Sequence, residues 1–173
     1  LFVLPSRYED RTRVVPIGAA VIGTRAVVEG EVQLTEAVYR RRRQLLCRIS
    51  DGSGFLTLRF FYFSGAQQQG LARGTRIRCF GEVRRGPLGA EMVHPEYRVI
   101  APGQTLALDE RLTAVYPTVE GLTQFRLRDL TSQALEKFLP ALTDELPAGT
   151  MQALALPGLV EALLYVHRPP VGA

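Results

Sequence analysis

Lysine is almost missing from this chain: of its 21 basic residues, only Lys137 is not an arginine. Arginine forks onto phosphate and stacks on bases, which a lysine point charge does less well. Cysteine is scarce too. Cys47 and Cys79 fall in predicted strands without metal-like spacing, which excludes a disulfide framework or zinc site and leaves buried thiols in a reducing cytoplasm. No run approaches the ~20 apolar residues that cross a bilayer, so no membrane partner is expected. No basic, apolar leader argues for secretion. The chain also lacks a GxxxxGK[ST] phosphate loop, HExxH, CxxC and any Ser/His/Asp set. His94 and His167, its two histidines, read as structural, His94 fixing a strand end and His167 capping a helix. The expectation is no catalytic residue, no metal and no cofactor of its own. The chain starts at Leu1, with Met92 and Met151 its only methionines, and reads as a piece of a longer polypeptide.

What is present is a soluble, globular composition, 46% hydrophobic and 22% charged, over 173 residues. The charge is lopsided. Residues 1–104 hold 16 arginines and nine acids, net +7, whereas residues 105–173 are net −3.

Residues 1–24 form a lead-in segment expected to pack on a barrel. From Arg25 to Ile49 apolar and polar residues alternate, as in a long strand or hairpin with Tyr39 and Arg40–Arg43 near its turn. Asp51-Gly52-Ser53-Gly54 has the composition of a tight turn. Phe55–Phe63 is the next strand, Ser64–Ala72 a short helix, Thr75–Val83 a strand, Arg84–Gly89 a hairpin turn and Ala90–Ile100 a closing strand. That order suits a five-stranded Greek-key barrel of the OB type. The fold class is therefore mainly β with an α appendage, the barrel occupying residues 25–104 and residues 105–173 forming an extended segment with helices. One helix carries Leu127, Leu130, Ala134, Leu135 and Phe138 on one apolar face and stops at Pro140. A second starts near Pro157-Gly158 and runs to His167.

Strand parity sorts Phe55–Phe63 into two faces. Leu56, Leu58, Phe60 and Tyr62 make a core face. Phe55, Thr57, Arg59, Phe61 and Phe63 interleave a cation with aromatics, a composition suited to stacking bases as well as to packing under the short helix at Ser64–Ala72. Arg40, Arg41, Arg42 and Arg43, with Arg59, Arg76, Arg78, Arg84 and Arg85, form a basic surface spread over several strands and suited to phosphate.

Several blocks resemble one family. Leu4-Pro5-Ser6-Arg7-Tyr8-Glu9-Asp10-Arg11-Thr12, Ile49–Gly54 and Arg59-Phe60-Phe61 are similar to the N-terminal region of the bacterial RecG helicases. So are Gly81–Gly86, Gly89–Arg98, Leu112–Leu122 and His167–Pro170, in the same order. The resemblance implies a wedge domain, an OB-fold that sits in the junction of a stalled replication fork or Holliday junction and splits strands, with barrel aromatics stacking on the opened bases. Carried onto this chain, that role falls on Phe61 first, then Phe63, with Phe60 beside them. ATP and Mg belong to motor domains of the same polypeptide, whose motifs lie C-terminal to this sequence. The implied partners are branched and single-stranded DNA, those motor domains and single-strand-binding protein, for a monomer in the bacterial cytoplasm, at the nucleoid. A general single-strand-binding module and a protein-docking barrel are the competing readings.

Overall fold

The computed structural model describes residues 3–39, 41–117 and 121–172. The chain divides into two compact units: Leu1–Thr12 with Asp109–Ala173, and Arg13–Leu108. The expected lead-in is thus split. Its first part belongs with the C-terminal residues, because β1 (Arg7–Glu9) finds its antiparallel partner at residues 113–115. Residues 13–24 stay with the barrel-like unit, where the turn Ile17–Ala19 buries Ile17 in the core and Val14 bridges to Val27.

The second unit is a seven-stranded sheet. Its strands are β2 (Arg25–Tyr39), β3 (Arg43–Ser50), β4 (Phe55–Phe60), β5 (Arg76–Glu82), β6 (Arg84–Gly86), β7 (Gly89–Val93) and β8 (Glu96–Ile100), with α1 (Gly65–Gly70) between β4 and β5. The spatial order is β6-β7-β4-β3-β2-β5-β8. A β2–β3–β4 meander, a crossover that returns β5 to the far side of β2, and parallel pairing of β4 with β7 give the connectivity expected of the OB type. The strand count is seven and not five. The expected closing strand divides at His94-Pro95, since proline has no amide for a ladder and His94 has φ 46°. Its halves serve different neighbours, β7 pairing with β4 and β6, and β8 with β5. The hairpin turn at residues 84–89 also contains the short β6.

β2 is long enough to serve two partners. Arg25–Glu31 pairs with β5 and Glu31–Tyr39 with β3, with a bulge between Val32 and Leu34 where the strand changes direction. Gly30 sits at this crossing. A Cβ there would lie 3.1 Å from the Ser50 carbonyl oxygen and 3.2 Å from Ile49 Cβ, so a larger residue would force its neighbours to give by a few tenths of an ångström.

Alternation then fills the interior. Val28, Val32, Leu45, Ile49, Leu58, Ile77, Val83 and Met92 are wholly buried, as are both thiols. Burial raises the pKa of each cysteine above its ordinary value, so they are inert apolar filler. The Asp51–Gly54 turn clasps the lead-in: Asp51 Oδ2 accepts the Ile17 amide at 2.9 Å and Ser53 Oγ accepts the Gly18 amide at 2.9 Å. Helix α1 starts where Ser64 Oγ caps the Gln67 amide.

In the other unit β1 pairs with β9 (Thr113–Val115), and α2 (Gln124–Phe138), α3 (Ala148–Ala153) and α4 (Leu159–His167) come after it in the chain. Thr123 caps α2. Leu127 and Leu135 are buried, but Leu130, Ala134 and Phe138 are exposed, so the smaller part of the expected apolar face is covered. Helix α3 lies between the two helices expected from periodicity and is too short to show a period of its own.

Candidate nucleic-acid interface

β4 ends at Phe60, and the chain bends through Phe61 and Tyr62. Ladder parity therefore stops at Phe60. Leu56, Leu58 and Phe60 point inward as expected, Phe60 being 3% exposed. This removes Phe60 from the stacking candidates, since a base cannot reach its ring. Tyr62, placed in the core by parity, is instead 78% exposed. Phe61 and Phe63 are half-buried, and Phe63 packs partly against the core.

Arginines meet these rings from the β2–β3 turn. The Arg42 guanidinium lies 4.4 Å from the Phe61 ring centroid and that of Arg43 lies 4.6 Å from Phe63. A guanidinium on a ring face is held by the ring quadrupole at little cost in solvation. Arg41, Arg42 and Arg43 are all exposed, whereas Arg40 lies outside the described residues. Beneath the bend, the His94 ring touches Phe60, Phe61 and Tyr62 at centroid distances of 5.9, 5.7 and 5.9 Å, stacked on the last at 27°.

The other arginines separate into two kinds. Arg59 gives Nε and one terminal nitrogen to Glu91 Oε2 at 3.0 and 2.8 Å, and the other to Gln44 Oε1 at 2.6 Å. Its side chain is only 11% exposed. Arg78 is likewise committed, to Glu29 at 2.7 Å and to the carbonyls of Ala107 and Leu106 at 2.7 and 2.9 Å. Every nitrogen of both guanidinium groups is already engaged, so both residues leave the phosphate set and become structural. Arg76 is exposed with one long contact to Glu29, Arg84 is half-exposed beside Glu91, and Arg85 is exposed. Among the described arginines named from sequence, Arg42 and Arg43 are the ones brought against the aromatic bend.

Two features lie beyond the reach of strand parity. Tyr62 is misplaced because alternation is carried past the strand end, although Ser64, a helix cap, already signals that the strand must stop before it. Arg48 stacks on Phe55 at 4.2 Å, an exposed pair at the opposite end of β4. Among the described residues no cluster of His, Cys, Asp or Glu could hold a metal ion, and no helix is long and apolar enough to cross a membrane.

A family model described as the RecG wedge domain matches residues 1–138. This chain belongs to the RecG wedge domain family. It is 49% identical to the ATP-dependent DNA helicase RecG of Escherichia coli (strain K12) over 172 residues, covering 98% of this chain and 24% of that protein. The Pasteurella multocida RecG helicase is 41% identical over 170 residues, again across 98% of the chain and 24% of the relative. The chain thus spans about a quarter of the length of the curated relatives it matches. A RecG solved bound to a three-way DNA junction shares the fold, with a TM-score of 0.74 at 20% identity over 97% of this chain and 23% of that one.

Proposed function

We propose that this wedge domain is a DNA-binding module that recognises branched DNA, stalled forks and Holliday junctions among them, and splits the strands for a RecG-type helicase. The observation that carries the reading is the bend after β4. There two consecutive aromatics, Phe61 and Tyr62, stand at a strand end beside the arginines of the β2–β3 turn. An opened base needs a flat partner, and the phosphates flanking it need cations within one nucleotide's reach. Phe61 and Tyr62 serve as the stacking surface, and Phe63 supports it from the core side. Arg41, Arg42 and Arg43, with Arg84 and Arg85, take the phosphates. The reading carries with it a parent ATP-dependent DNA helicase whose motor domains bind ATP and Mg, acting as a monomer in the bacterial cytoplasm beside single-strand-binding protein.

The test compares fork, duplex and single-stranded DNA of equal length across a salt series. Affinity should be greatest for the fork and fall steeply with salt for all three. A second reading, a general single-strand-binding module, is favoured by the exposed Arg48–Phe55 pair, a second cation–aromatic contact at the far end of β4. Equal affinity for fork and single strand would select it.

A further inference from the structure

The parallel ladder between β4 and β7 ends at Arg59 and Val93. Beyond that pair the β4 backbone needs new partners, and one residue supplies both. The His94 amide donates to the Arg59 carbonyl at 2.9 Å, and the Phe61 amide donates to His94 Nε2 at 3.1 Å. An imidazole that accepts through Nε2 is the neutral tautomer with its hydrogen on Nδ1. His94 adopts the left-handed backbone region, φ 46°, although it precedes Pro95, a position that ordinarily holds a residue extended. Such a conformation persists only where its surroundings impose it.

We infer that His94 is the positioning residue of the aromatic bend, holding Phe61 and Tyr62 in the arrangement that meets an opened base. The inference rests on the DNA-binding reading above and deepens it. A glycine or asparagine could make the same turn at less strain. The imidazole adds an acceptor that ties the Phe61 backbone and a flat face on which Tyr62 lies at 27°. Tyr62 is 78% exposed, so without that face its ring would have to be ordered anew each time a base arrived. Pre-ordering it lets stacking appear as affinity for the fork.

The experiment measures fork and duplex affinity for the 173-residue chain and for His94→Ala, His94→Gln and His94→Phe, with Phe61→Ala and Tyr62→Ala alongside. His94→Ala should weaken fork binding roughly tenfold, the scale of one lost stacked base, and leave duplex affinity unchanged. His94→Gln keeps an acceptor of similar reach but no ring face, so it should keep the Phe61 amide slow in hydrogen exchange and recover only part of the fork preference. His94→Phe keeps a ring for Tyr62 without the acceptor, so its Phe61 amide should exchange fast and its fork preference should lie between the alanine variant and the wild type. If His94→Ala does not fold, the glutamine and phenylalanine variants decide, and a phenylalanine variant with wild-type fork preference overturns the inference. A wild-type fork-to-duplex ratio in His94→Ala, while Phe61→Ala and Tyr62→Ala lose it, overturns the inference and leaves DNA binding standing. If the two aromatic variants keep the ratio as well, the bend does not read the fork, and its stacking role falls together with the inference.

Discussion

The two units are held together by different physics. The sheet unit has an interior of aliphatic side chains at or near zero exposure, from Val28 on β2 to Met92 on β7. The β1–β9 unit has a small core of Ala114, Tyr116 and Leu127 with Leu122 against it, and polar groups set its geometry. Tyr8 donates to the Val166 carbonyl at 2.7 Å, Ser6 to the Val115 carbonyl at 3.0 Å, and Gln124 brackets both backbone groups of Tyr116. Glu9 is buried and paired with Arg11 at 2.9 Å. Burial is roughly additive and tolerant of small shifts, whereas buried polar pairs are costly once one member is removed. The sheet unit should therefore fail through lost volume and the other unit through lost partners.

The largest effect should come from the sheet core. Phe60→Ala removes a buried ring that also makes edge contacts with Tyr97 and His94, and should cost ~3–5 kcal/mol by denaturant unfolding. Tyr62→Ala, two residues on, should change stability by under ~0.5 kcal/mol. Equal losses from the two would show that the chain does not bend after Phe60.

Arg59→Ala is expected to be close behind. It leaves Glu91, 5% exposed, with only the longer 3.3 Å contact to Arg84, and uncompensated buried charge costs ~3–5 kcal/mol. The salt slope of DNA binding should not change, because the Arg59 guanidinium is buried and engaged on all three nitrogens. Replacing Arg41, Arg42 and Arg43 with alanine should do the reverse. Stability should stay nearly constant while the log–log slope flattens by up to ~0.9 for each phosphate that is no longer neutralised. A slope that flattens with Arg59→Ala would return that residue to the interface.

The same contrast explains what could be read from the sequence. Alternation along β4 correctly puts Leu56, Leu58 and Phe60 on one buried face, because a two-residue period follows from strand geometry alone. It misleads at Tyr62, where the strand has already ended, and at Leu130 and Phe138, where helical period implies a covered face that stays exposed. The pairing of Arg7–Glu9 with Thr113–Val115 leaves no periodic trace at all. It joins distant segments of the chain by three rungs and a few polar bonds, and no local pattern encodes such a contact. The preponderance of arginine among the basic residues was legible in the sequence. Which arginines are tied down was not, because that depends on Glu29, Gln44 and Glu91 arriving from other strands.

The smallest expected effect concerns the polar unit and depends on pH. His167 is buried at the end of α4 and shares a 2.8 Å hydrogen bond with the Tyr116 hydroxyl, the rings stacked at 26°. Desolvation disfavours the imidazolium and holds the His167 pKa below its ordinary value, while burial raises that of the Tyr116 phenol. In the unfolded chain the same histidine titrates near 6.5. As pH falls through that value the unfolded chain takes up a proton that the folded unit still refuses. The unfolded state then binds more protons, so stability rises with pH and falls with acidification, by at most about 1.4 kcal/mol per pH unit for this one group. The loss begins near pH 6.5 and stops once pH passes below the folded value. Residue-resolved thermal melts at about pH 7.5 and about pH 5.5, either side of the unfolded value, should show amides of β9 and α4 weakening on acidification. In His167→Gln, which cannot titrate, those amides should respond to pH no more than the β3 and β4 amides do. An undiminished acid response in His167→Gln would move its origin to another group.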